Sequence, residues 1–246
     1  MGAFQIKCLA VIALLCVSAL LIPSAYGDSI PILTISAPQP PLSGGLLFDG
    51  QNGPDFPIFA GFSFVLGRSF DNVSITAYLE LGDNFTGTAW LTNGIGSGAT
   101  PLNVIASAPF SRPGFCCNGS FVPTSFFGNL DLAPGTYDFF LSTHDSYGLW
   151  EFAQTQPTIV AAQGIGYLNS LYTISSSGCA GIGCPLNLDF PPASNWNAST
   201  FFYPTLEIDA TPVPEPSSIS TLLVGLAVVF LLTRFGKGPT EEAAGS

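Results

Sequence analysis

The segment Val73-Ser74-Ile75-Thr76-Ala77-Tyr78-Leu79-Glu80-Leu81 alternates apolar with polar side chains along its whole length. Successive side chains of a β-strand point to opposite faces of the sheet, so this alternation predicts a strand with one buried face. Residues 62–66 and 137–141 repeat the pattern, and turn residues separate the clearest stretches by about ten positions. This pattern predicts an all-β domain over residues 28–210, an antiparallel β-sandwich of jelly-roll or Greek-key type.

The composition excludes several other classes of protein. Lys and Arg total 5 against 16 Asp and Glu, which gives a net charge of -11. Nucleic-acid binding needs clustered basic side chains, so we expect no nucleic-acid partner. Hydrophobic residues make up 47% of the chain and aromatic residues 13%, which argues against intrinsic disorder. The 27 Gly and 21 Pro disfavour a long helical bundle.

Residues 1–27 have the pattern of a secretory signal peptide. Lys7 supplies a positive charge, residues 8–22 form an almost unbroken apolar stretch, and Ala25-Tyr26-Gly27 offers small residues at the cleavage positions. The pattern predicts an N-terminal signal helix that is removed before Asp28.

A second apolar stretch lies near the C-terminus. Residues 217–235 would form a helix of about 28 Å, enough to cross a thin bilayer. Arg234 and Lys237 follow this stretch at once, and positive flanks stay in the cytoplasm. We therefore predict a single transmembrane helix over residues 219–235, a cytoplasmic tail over residues 236–246, and an exported domain before them.

A proline-rich segment, residues 211–218, precedes the predicted transmembrane helix. Its core is Val213-Pro214-Glu215-Pro216, and alternating prolines keep such a segment extended. The order of this motif, a short apolar helix and basic residues resembles the PEP-CTERM sorting signal of bacterial envelope proteins. The resemblance implies an exosortase-type processing enzyme as partner, removal of the C-terminal tail, and delivery to the cell surface or extracellular matrix. Nine residues follow Lys237, a longer tail than the family usually has.

Four cysteines remain after removal of the signal peptide, and an oxidising compartment favours disulfides between them. Three pairings of the four are possible. We favour disulfides that join the adjacent pair Cys116-Cys117 to Cys179 and Cys184, because a disulfide between adjacent cysteines closes a rare eight-membered ring. A zinc site is the alternative. The candidates are Cys116, Cys117, Cys179 and Cys184.

Oxygen-bearing side chains around a glycine turn predict a calcium site. Asp49, Asn52 and Asp55 supply hard oxygen ligands of the kind that Ca²⁺ prefers, although Asx residues also favour turns for conformational reasons. The three tryptophans, Trp90, Trp150 and Trp196, are candidates for stacking on sugar rings, with packing into the core as the alternative.

The sequence offers little support for catalysis. It contains neither a Gly-x-Ser-x-Gly nor a His-Glu-x-x-His motif, and His144 is its single histidine. We therefore expect a non-catalytic structural or interaction domain without a required cofactor. The alternatives are a surface module that binds polysaccharide or calcium, and a secreted hydrolase that uses His144 as base.

Overall fold

The computed structural model describes residues 28–37, 43–49, 57–82, 84–112, 121–143, 147–153, 157–174, 190–194, 196–199 and 202–213. These residues belong to one compact unit, Gly27–Val213. Among them, none of the helical turns has the length and apolar character needed to cross a bilayer. The predicted signal helix and transmembrane helix lie outside the described residues.

The described part of the chain is all-β, as the alternation predicts. Its strands are β1 Ile30–Ser36, β2 Ser43–Asp49, β3 Pro57–Leu66, β4 Phe70–Leu81, β5 Phe85–Thr92, β6 Val104–Arg112, β7 Val122–Leu132, β8 Gly135–Thr143, β9 Tyr147–Ala153, β10 Thr158–Ala161, β11 Ile165–Ile174, β12 Asn197–Ser199, β13 Tyr203–Pro204 and β14 Leu206–Pro212.

Two antiparallel sheets contain these strands. Sheet A has the order β10-β1-β14-β4-β9-β13, with β2 beside β9 and β7 beside β4. Sheet B has the order β12-β11-β3-β8-β5-β6. Neighbours in both sheets are mostly distant in sequence, so the pairing depends on long-range contacts.

The two sheets pack face to face around a shared apolar core. Trp150 of sheet A contacts Phe62 and Phe139 of sheet B, with ring centroids 6.1 and 5.7 Å apart. In β4, Val73, Ile75, Ala77 and Leu79 are completely buried, and the residues between them are partly exposed. The strand predicted from residues 73–81 is therefore confirmed, with its alternating burial up to Leu79, while Glu80 on the polar face is buried as well.

The chain begins and ends this unit at the same end of sheet A. Ile30 at the start of β1 pairs with Ala210, and Pro212 at the end of β14 pairs with Phe70. We call this the entry end, and the opposite end the far end. The motif Leu130–Tyr137 closes a turn at the entry end, where the Tyr137 hydroxyl donates a hydrogen bond of 2.6 Å to the Ala133 carbonyl oxygen.

Positive backbone φ angles mark a distortion where β4 meets β7. Asn72 has φ 54°, Phe127 has φ 57° and Asn129 has φ 72°. The registers shift at the same level, between Phe70 and Ile75 of β4. Such bulges bend a strand and disrupt its ladder locally, which protects an edge strand such as β7 from pairing with another chain.

Candidate functional site

Most of the residues predicted to carry function lie outside the described part of the chain. This holds for Pro214, Glu215 and Pro216 of the sorting motif, Arg234 and Lys237, Asn52 and Asp55, His144, and the four cysteines Cys116, Cys117, Cys179 and Cys184. Val213 follows β14 directly and is partly buried, and Asp49 is the last residue of β2. The predictions for these residues stay predictions.

The strands that precede the predicted calcium ligands and the two cysteine clusters all end at the far end of the sheets. At the far end, Asp49 pairs with Tyr147, Arg112 with Phe85, and Ile174 with Pro57. The predicted calcium ligands and both cysteine clusters therefore follow strands that end at the far end of the sheets, away from the start of β1 and the end of β14.

The tryptophans predicted as sugar platforms separate into two groups. Trp150 is completely buried, and its Nε1 donates a hydrogen bond of 2.9 Å to the Thr205 carbonyl oxygen. It is a core residue. Trp90 and Trp196 are partly exposed and lie on the outer face of sheet B.

Five aromatic side chains meet on that outer face. Phe140 is completely buried at the centre. The Trp90 ring stacks on it with ring centroids 6.2 Å apart, and the Trp196 ring is tilted against it with centroids 4.5 Å apart. Phe190 meets the edge of Trp90 at 6.3 Å, and Phe59 lies 6.1 Å from Trp196. We call Phe59, Trp90, Phe140, Phe190 and Trp196 the outer aromatic cluster.

Chain segments from outside the sheet hold this cluster in place. Pro191 and Pro192 are buried, and the Gly96 amide donates a 2.8 Å hydrogen bond to the Pro192 carbonyl oxygen. This bond joins the loop after β5 to the segment that carries Phe190. Close packing of backbone also contributes, because a Cβ added at Gly61 would lie 2.5 Å from the Cβ of Phe140.

A row of polar residues crosses the sheet beside the aromatic cluster. Thr92 of β5 pairs with Asp138 of β8, which pairs with Ser63 of β3, which pairs with Asn169 of β11. The Ser63 hydroxyl donates a 2.5 Å hydrogen bond to Asp138 Oδ1. Burial raises the pKa of the Asp138 carboxyl, and the bond from Ser63 offsets part of that rise.

The cluster has a polar group that the described residues do not satisfy. Trp196 Nε1 is buried and has no hydrogen-bond partner among them, whereas Trp90 Nε1 donates to the Ser142 hydroxyl at 2.9 Å. The hydroxyl and carboxylate groups beside the cluster are buried, so the part of it that a ligand can reach is the partly exposed Trp90 and Trp196. Exposed aromatic faces of this kind suit a saccharide, whose ring stacks on them.

Alternation alone did not predict this cluster. It places Asp138, Phe140 and Ser142 on the polar face of β8, yet all residues from Tyr137 to Thr143 are buried. The sequence signal was the continuous apolar run Phe139-Phe140-Leu141, which is typical of a strand covered on both faces.

The outer face of sheet A carries carboxylates and hydroxyls. Glu207 and Asp209 lie two residues apart on β14 and pair with Thr76 and Ser74 of β4. Burial, and then the neighbouring Asp209 carboxylate, raises the pKa of Glu207. Within the described ranges, no three His, Cys, Asp or Glu side chains are placed to hold a metal ion.

No protein-family model matches the sequence, and no curated protein or solved structure shows significant similarity to it.

Proposed function

We propose that this chain is an exported cell-envelope protein that an exosortase-type enzyme sorts through Val213, Pro214, Glu215 and Pro216. Before processing, the apolar segment at residues 219–235 would hold it in the membrane with Arg234 and Lys237 in the cytoplasm. After processing, the β domain would reside at the cell surface or in the extracellular matrix. There it would act as a non-catalytic structural or interaction module.

The position at which the folded unit ends carries this proposal. The sheet pairing continues to Pro212 and so includes the first two residues of the proline-rich segment 211–218. The sorting motif begins at the next residue. A processing enzyme binds its substrate as an extended chain, and Val213 is the first residue after the sheet pairing ends. Binding of a motif that starts there would not require β14 to unpair from the sheet.

The finer architecture also belongs to this proposal. We propose a jelly-roll or Greek-key sandwich, with a signal helix before it and a transmembrane helix after it. The placement of β14 between β1 and β4 supports this topology, because Greek-key folds return a late strand beside an early one.

Intact mass tests the sorting step on protein purified from cells that contain the processing enzyme. We expect wild-type chain to begin near Asp28 and to end well before Ser246. The double variant Glu215→Ala/Pro216→Ala should remain full length at its C-terminus. Its matched control, Pro239→Ala/Glu241→Ala, changes the same residue types beyond the basic residues and should be processed normally. Processing of the Glu215→Ala/Pro216→Ala variant at the wild-type rate would contradict the proposal.

Binding of an extracellular polysaccharide is the second candidate function, and the outer aromatic cluster favours it. Trp90 and Trp196 are both partly exposed, and alanine substitution of a stacking aromatic should abolish most of the binding. We expect Trp90→Ala to lose retention on the polysaccharides of a glycan array that bind wild type. Tyr78→Ala, a partly buried aromatic on the outer face of sheet A, should bind normally. Equal binding of both variants would exclude the cluster as the site.

The same purified protein serves to test the calcium-binding and the hydrolase alternatives. If Asp49, Asn52 and Asp55 hold Ca²⁺, calcium should raise the melting temperature of wild type and leave that of Asn52→Ala/Asp55→Ala unchanged. A calcium effect that survives the double variant would place the ion elsewhere. Hydrolase activity that His144→Ala removes would favour the catalytic alternative over a non-catalytic domain.

A further inference from the structure

The last strand of the domain lies in the interior of sheet A. β14 pairs with β1 on one side, where Leu206 faces Ile35, and with β4 on the other, where Leu206 faces Ala77. Its inward residues Leu206, Ile208 and Ala210 are completely buried. Residues 206–209 of β14 are therefore paired on both sides, whereas Thr211 and Pro212 are paired with β4 alone.

Sheet A depends on this strand for its continuity. The other neighbour of β1 is β10, a strand of four exposed residues. Within the described sheet, β14 is the strand that connects the β10-β1 pair to β4. Loss of β14 would leave β1, with its buried side chains Ile32, Leu33 and Ile35, paired with the short strand β10 alone.

The pairing persists to the last residues of β14. Pro212 pairs with Phe70, and Thr211 is 5% exposed. The Asn72 side chain, at the bulge in β4, donates a hydrogen bond of 3.4 Å from Nδ2 to the Thr211 hydroxyl. Asn tolerates the positive φ that this bulge requires, so the bulge also places an amide beside the end of β14.

We propose that β14 sets the upstream limit of the processing segment. The folded domain withholds β14, residues 206–212, from a peptide-cleaving enzyme, so that cleavage at this end of the domain requires the chain that follows Pro212. The physical reason is that such an enzyme pairs with free backbone groups of an extended substrate. Residues 206–209 of β14 are paired on both sides, and Thr211 and Pro212 are still paired with β4. The inference rests on the proposed sorting function for its biological meaning, but the protection itself is a property of the folded domain.

Limited proteolysis of the full chain in a mild non-ionic detergent tests the protection without the sorting enzyme. We expect proteinase K to leave a resistant fragment whose C-terminus, by intact mass, lies at or after Pro212. A resistant fragment whose C-terminus lies within residues 206–211 would overturn the proposal. If instead the chain in its own cells still ends at Ser246 while this fragment is found, the sorting proposal fails and the present one stands.

Two substitutions on β14 provide a matched comparison. Ile208→Ala leaves a cavity on the buried face, and we expect cleavage within residues 206–212 to accelerate roughly tenfold or more, because proteolysis follows the population of the open form. Glu207→Gln changes the adjacent outward side chain and should be cleaved at the wild-type rate. Should Ile208→Ala fail to fold, Ile208→Val removes a single methyl group and should show a smaller acceleration. Cleavage of the Ile208 variants at the wild-type rate would overturn the proposal.

Discussion

The outer faces of the two sheets differ in what covers them. On sheet B, Phe140 and Asp138 are buried, and Phe140 is covered by Trp196, which comes from a distant part of the chain. On sheet A, a row of hydroxyl and carboxylate side chains runs from Thr34 through Glu207 and Thr76 to Ser125 and remains open or partly open. One sheet is thus covered on both faces over its centre, and the other on one face.

Because of this difference, we expect side chains on the two outer faces to contribute differently to the stability of the fold. A hydroxyl pair such as Thr76 and Ser125, whose oxygens lie 2.8 Å apart in an exposed position, contributes little to stability because water competes for the same bonds. A buried aromatic such as Phe140 contributes by removing apolar surface from water. The outer face of sheet B should therefore behave like a second, smaller core.

The largest effect is expected for Phe140→Ala. Removing the ring leaves a cavity between Trp90 and Trp196, and such truncations cost about 3–5 kcal/mol of unfolding free energy. Tyr78→Ala on sheet A is the matched control, with an expected cost of about 1 kcal/mol or less. Thermal unfolding of the full chain, monitored by tryptophan fluorescence, measures both. Similar melting temperatures for the two variants would show that the two faces are equivalent.

A smaller, pH-dependent effect is expected for Asp138→Asn. Because burial raises the pKa of Asp138 in the folded state, the protonated carboxyl stabilises the fold below the unfolded-state pKa of about 4. That contribution is lost as the pH rises through the folded-state pKa. We expect the Asn variant to be more stable than wild type at neutral pH and to lose this advantage at acidic pH. The Asn side chain can still accept the hydrogen bond from Ser63. An advantage of the variant that grows on acidification would contradict the assigned direction of the pKa shift.

The smallest effect is expected for Thr76→Ala. It removes the exposed hydroxyl that pairs with Ser125, and cross-strand pairs of this kind contribute less than about 1 kcal/mol. The unfolding free energy from urea titration should stay close to the wild-type value. A loss comparable to that of Phe140→Ala would indicate that sheet A is also covered by a layer on its outer face.

The all-β class and the main strands could be predicted from the sequence, because alternation along a strand is a local property. Residues 73–81 and the turn between Leu66 and Phe70 illustrate this. The burial of Asp138 and the clustering of Trp90 with Trp196 could not be predicted in this way. Trp196 lies 106 positions after Trp90 in the chain, and no local pattern links them.

The sequence by itself indicated the strands around residues 62–66, 73–81 and 137–141 and the buried face of β4 from Val73 to Leu79, since each follows from the order of neighbouring residues. The signal peptide, the sorting motif and the transmembrane segment are predictions of the same local kind. Only the tertiary structure decided that β14 lies between β1 and β4 and that the outer face of sheet B is covered. Both depend on contacts between segments that are distant in sequence. Any two strands can form the same backbone hydrogen bonds, so local sequence does not select the partner of β14. Whether a sheet face is buried depends on which other segment packs against it.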